Sequence, residues 1–201
     1  MRVERGVCAR ARSLPALGDH VLHGRGGMHA GRWTHARSVA GGAVAGQDRI
    51  VMQIERARLL AERLHANDCE EDGTALLEHI RRVARRVDDD VQAVAWLHEV
   101  LEWTAVAEHD LLSEGLDSEQ LRALRLLSRE HEAHSDGVYL AHVGLIARAA
   151  GRSGRLARLV KIADLQDRCL HPRVRADGWS PPYERGLALL MEPGADRTTA
   201  V

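Results

Sequence analysis

Several things are scarce in this 201-residue chain, and most of these scarcities remove a class of structure or partner. No apolar run is long enough to span a bilayer, so no membrane partner is expected. The three cysteines, Cys8, Cys69 and Cys169, stand far apart and lack the paired spacing of a metal knuckle. They point away from a disulfide framework and towards a reducing, cytoplasmic location. The N-terminal segment lacks the continuous apolar centre of a signal peptide. An excess of one charge is missing too: 28 Lys and Arg meet 29 Asp and Glu, for a formal net charge of -1. Nothing in that balance calls for nucleic acid or a membrane surface. Convincing strand alternation occurs nowhere, phenylalanine is absent and tyrosine occurs only twice.

What is present is helical. Hydrophobic residues make up 45% of the chain, enough for one domain with a substantial core, and the twelve histidines are many for this length. Residues 1–50 stand apart: "GRGGMHAGRWTHARSVAGGAVAGQ" has no sustained period of 2 or 3.6 and is expected to be a disordered or loosely ordered extension. It is no dense basic run, so nucleic acid is not expected there, and Met52 could be the natural start. From 52 to 192 the pattern predicts an all-α helical domain, with 193–201 a flexible tail. "QIERARLLAERLHAN" is a first amphipathic helix, and Thr74 is placed to cap the next, "ALLEHIRRVARRV". "DDD" at 88–90 opens a third helix, and Ser118 is placed to cap "EQLRALRLLSRE". "SDGVYLAHVGLIARAA" and "GRLARLVKIADLQDR" follow. His131 and His134, in "HEAH", sit where a helix ends and read as solvated residues rather than as a separate metal motif.

The stretch "AWLHEVLEWT" sets a problem, because an apolar helix here carries His98, Glu99 and Glu102. At 100° per residue these three fall in one arc about 100° wide that overlaps the apolar face. Carboxylates in such a setting need a metal, a cation or a water-filled cavity. His79 and Asp164 border the apolar faces of two other helices. Together with His98 and Glu99 they make a mixed nitrogen and oxygen donor set, suited to Mn²⁺ first and to Fe²⁺ or Zn²⁺ next.

The order of these residues resembles the HD-domain metal-dependent phosphohydrolases, in particular the RelA/SpoT-type alarmone hydrolase branch, over about 54 to 170. "HIRRVA" from His79, "VAWLHEVLEWT", "YLAHVGLIARA" and "LVKIADLQDR" match four features of that family in order. The resemblance implies an HD-type helical bundle with His79, His98, Glu99 and Asp164 as metal ligands. It implies Glu102 as the group that activates or orients the attacking water, with Lys161 as a phosphate neutraliser or, at three residues from Asp164, the partner of a carboxylate. Trp103, Tyr139 and Arg168 are the expected walls of the substrate pocket. The chain departs from the family at Glu99, where the signature acid is an aspartate, at Trp103, which replaces a second acid, and at Arg168, which replaces an asparagine; the family's proline after the first histidine is also missing. The function implied is metal-dependent hydrolysis of a nucleotide or related phosphate ester, (p)ppGpp 3'-pyrophosphate hydrolysis being its sharpest form. The alternative is a degenerate module of the same fold that binds a nucleotide or protein partner without turnover.

Overall fold

Leu76, Ile80, Val83 and Ala84 recur at helical spacing with arginines between them, so one stripe of this segment is driven inward and the rest stays wet. The same logic repeats along the chain in the computed structural model, which describes residues 39–70, 72–129, 135–171 and 180–192 (for 39–45, the backbone only). The described residues form helices α1 (Val39–Leu64), α2 (Leu76–Ala84), α3 (Asp89–Leu97), α4 (Val100–Trp103), α5 (Glu108–Ser113), α6 (Ser118–Leu127), α7 (Asp136–Arg148), α8 (Gly151–Leu170) and α9 (Tyr183–Met191). No strand occurs among them; one isolated bridge joins Cys69 and Ala75. None of these helices is long and apolar enough to cross a membrane.

Two helices organise the rest. Helix α3 packs against α1, α2, α6 and α8, while α8 packs against α2, α3, α6, α7 and α9. The sequence of α3, "DDVQAVAWL", explains its place: every residue from Ala93 to Leu97 is buried, so only neighbours on several sides can cover it. Helix α8 is also buried on several faces, but it carries Lys161, Asp164, Asp167 and Arg168 among its buried residues. Four charges inside a helix bundle must find partners there, and that requirement builds the site described below.

The connection into α8 is tight. Gly151 has φ of +74°, a left-handed conformation that favours glycine. At Gly154 an added Cβ would stand 2.2 Å from the carbonyl oxygen of Ala149, so no larger residue fits without moving backbone.

Several local expectations change. The first helix reaches back to Val39, well before residue 50; residues 1–38 and the expected tail 193–201 lie outside the described residues. Thr74 does not cap α2: Ala75 takes the N-cap position without a side-chain bond, and Thr74 instead donates its backbone N–H to Asp72. Asp117, not Ser118, caps α6, its carboxylate accepting from the backbone N–H groups of Glu119 and Gln120. A carboxylate is the stronger acceptor at the positive end of a helix. Cys69 is disulfide-bonded while Cys169 is an exposed free thiol, so the expectation of thiols throughout is not met at Cys69.

Candidate metal centre

The helix expected to run through "AWLHEVLEWT" breaks inside it. Helix α3 ends at Leu97 and α4 begins at Val100, leaving His98 and Glu99 as the residues between, the C-cap of one and the N-cap of the other. His98 keeps one local tie: its Nδ1 lies 2.7 Å from the carbonyl oxygen of Ala95. A carbonyl can only accept, so Nδ1 carries the proton and Nε2 is the atom turned to the site.

His79, fully buried on α2, is held the same way by a different partner. Its Nδ1 lies 2.9 Å from Asp167 Oδ2 on α8. Burial alone would raise the Asp167 carboxyl, yet its bonds to His79, Arg82 and Arg86 hold it far below the ordinary carboxylate range. Arg82 donates from Nε and Nη2, both at 2.9 Å, and Arg86 from Nη1 at 2.6 Å. Asp167 is therefore an acceptor only, His79 Nδ1 is a donor, and Nε2 of His79 also faces the site.

The two Nε2 atoms meet at 3.3 Å. Burial pushes the His98 imidazole down to about 4, so it is neutral near pH 7 and its Nε2 offers a lone pair. Asp164 Oδ1 on α8 lies 3.3 Å from His79 Nε2. One ligand atom from each of His79, His98 and Asp164 falls within 4.8 Å of the other two, and all three residues are buried, so this cluster could hold a metal ion. Its donors are acceptors crowded together, an arrangement that a shared proton or a cation relieves. The mutual packing of α2, α3 and α8 is what brings the three side chains to one place.

The other expected residues fall around this cluster. Glu99 Oε1 lies 3.7 Å from both imidazole Nε2 atoms and accepts from Arg168 Nη2 at 3.4 Å. Lys161, the only lysine in the chain, is buried and donates to Asp164 Oδ2 at 2.6 Å. Burial would raise the Asp164 carboxyl, but Lys161, His79 and Arg168 outweigh it and keep the group ionised. Glu102 is half-buried and pairs with Arg129 at 3.4 Å. Trp103 is half-buried and packs on the core. Tyr139 is buried with its ring 6.0 Å from Lys161 Nζ and 5.4 Å from the Arg129 guanidinium, and burial, with the Asp164 charge, pushes its hydroxyl well up. Arg168 also lines an open groove of about 400 Å³ with Tyr183, Glu184 and Arg185. His131 and His134 lie outside the described residues.

The residues that sequence reasoning missed are the supports. Asp167, Arg82 and Arg86 fix the orientation of His79, and Glu70, in the turn between α1 and α2, accepts from Arg168 Nη1 at 2.5 Å. A signal for the first group existed: Asp167 follows Asp164 at helical spacing, and arginines stand three and seven residues after His79. No protein-family model matches the chain, and no curated protein is similar enough to count as a relative.

Proposed function

We propose that this protein is a divalent-metal-dependent phosphohydrolase of the HD type, acting on a nucleotide or related phosphate ester, with the 3'-pyrophosphate of (p)ppGpp as its sharpest candidate substrate. The observation that carries this reading is the pair of imidazole Nε2 atoms 3.3 Å apart beside Asp164 Oδ1, with both Nδ1 atoms already committed. That donor set fits Mn²⁺, Fe²⁺ or Zn²⁺, Mn²⁺ first because oxygen donors surround the two nitrogens. When bound, such an ion acidifies a water and polarises a phosphoryl oxygen.

The chain's own groups then divide the work. His79, His98 and Asp164 hold the ion, and Glu99 stands beside them with its Oε1 on Arg168 Nη2. Asp167 and the Ala95 carbonyl keep both imidazoles in the tautomer that ligates, a support worth about 10- to 100-fold in metal affinity at comparable sites. Lys161 holds Asp164 Oδ2 and leaves Oδ1 towards the histidines. Glu102 takes a proton from the attacking water, Lys161 lends positive charge to the phosphoryl group, and Trp103, Tyr139 and Arg168 wall the substrate pocket.

Metal analysis of the purified protein, followed by phosphate and pyrophosphate release across nucleotides with Mn²⁺, tests the reading. Bound metal with turnover supports it; no metal and no turnover sinks it. A second reading, a binding module without turnover, is favoured by one observation: Arg168 already neutralises carboxylates inside the site. Bound metal with no turnover on any nucleotide would select that reading.

A further inference from the structure

Arg168 is only 4% exposed, and all of its nitrogens point at acids. Nη1 is 2.5 Å from Glu70, Nη2 is 3.4 Å from Glu99, and Nε is 3.6 Å from Asp164 Oδ1. A guanidinium carries its charge on a rigid planar fork of donors that suits several carboxylates at once. The fold keeps it in place from two sides: α8 carries it one turn after Asp164, and Glu70 anchors its far end. Glu99 Oε1, 3.7 Å from both imidazole Nε2 atoms, is thus turned to a cation of the chain itself, and the same guanidinium stands beside Asp164 Oδ1. Taking Arg168 away removes one positive charge from beside both oxygens, which favours a divalent ion there.

Resting on the metal reading above, we propose that Arg168 is a resident counter-cation that competes with the metal for Glu99. With Arg168 in place the divalent ion is held by His79, His98 and Asp164, and Glu99 stays with the guanidinium. Two consequences follow. The protein keeps its fold without metal, because Lys161 and Arg168 already stand against the buried acids, and its metal affinity is set below what the four acidic and imidazole groups could reach together.

Calorimetry with Mn²⁺ alone, on the full chain freed of metal by a chelator, tests this together with thermal melts. Arg168→Gln should bind Mn²⁺ at least about tenfold more tightly than the natural protein, a gain of about 1.4 kcal/mol. It should melt lower without metal and gain more from saturating Mn²⁺ than the natural protein does. Arg168→Lys, which keeps the charge, and Glu99→Gln should each stay within about threefold of the natural affinity, a shift well under 1.4 kcal/mol. Adding Glu99→Gln to Arg168→Gln should erase the gain. A purely structural Arg168 would lower the melting temperature equally with and without Mn²⁺ and leave the affinity alone, and that result overturns the proposal. So does a loss of about a hundredfold in Glu99→Gln, which would make Glu99 a ligand. If Arg168→Gln does not fold even with Mn²⁺, Glu99→Gln decides alone. Where the natural protein binds Mn²⁺ but Arg168→Gln binds it no tighter, this inference fails and the metal reading stands; where no variant binds Mn²⁺, both fail.

Discussion

Asp167→Asn is the sharpest perturbation of this site that leaves its shape intact. The carboxylate is fully buried and accepts from His79 Nδ1, Arg82 Nε and Nη2, and Arg86 Nη1. An asparagine fills the same volume, but its amide NH₂ has to face either the guanidinium groups or His79. The guanidinium groups donate only, so the oxygen turns to them and the NH₂ to His79. Nδ1 of His79 must then accept, its proton moves to Nε2, and the lone pair that faces His98 and Asp164 is lost. Loss of such a supporting partner costs about 10- to 100-fold in metal affinity, about 1.4–2.7 kcal/mol. Arg82 and Arg86 have side chains 29% exposed and can turn to water, which limits the damage to folding. The stability loss is then nearer that of one charge-assisted bond, about 1.5–3 kcal/mol. Calorimetry with Mn²⁺ reads the first quantity, urea unfolding in chelator the second, and ¹⁵N chemical shifts of the His79 ring report the tautomer. A folded Asp167→Asn that binds Mn²⁺ as well as the natural protein would refute the argument that Asp167 sets the ligating nitrogen.

Four other outcomes are expected. His98→Ala should abolish measurable Mn²⁺ binding in calorimetry while the metal-free protein stays folded, and natural affinity in that variant would remove His98 from the ligand set. Gly154→Ala should lower stability by about 1–3 kcal/mol or more, because its Cβ would stand 2.2 Å from a backbone oxygen; a melt within a degree of the natural protein would show that the α7–α8 connection yields. Burial, with Lys161 and Arg129 adding to it, pushes the His142 imidazole down from 6.5 to about 4, so the fold favours its neutral form. Its contribution is complete above pH 6.5 and is lost as the pH falls towards 4, so urea midpoints should decline across that window and decline less in His142→Gln. Trp103→Asp should raise pyrophosphate release from (p)ppGpp if Trp103 stands where a second acid belongs; because Trp103 also packs on the core, thermal melts must accompany the assay, and unfolding without any gain in turnover would mean that it serves packing alone.

Much of the architecture was legible in the chain itself, because it rests on local chemistry. Helical spacing of Leu76, Ile80, Val83 and Ala84, the acidic start "DDD" and the absence of strand alternation are enough to expect an all-helical domain. Candidate ligands could be named because histidines and acids on apolar faces need partners, and three of them, His79, His98 and Asp164, do meet. Boundaries and caps were less legible, since the choice between Asp117 and Ser118, or the break between Leu97 and Val100, depends on which backbone groups neighbouring elements leave unsatisfied.

What only the tertiary structure decided is how charges separated in sequence share one interior. Glu70 and Arg168 are 98 residues apart, and His79 and Asp167 are 88 apart. No periodicity links such positions; His79 and Asp167 meet because α2 packs against α8, and Glu70 reaches Arg168 from the turn that leads into α2. In that setting a charge is tolerated only with a partner, so the fold selects which arginine faces which acid and which imidazole nitrogen is left to ligate. The sequence determined the helices and the inventory of ligating groups, while the packing of α8 against α2 and α3 decided that Asp167 would orient a histidine and Arg168 would stand among the acids.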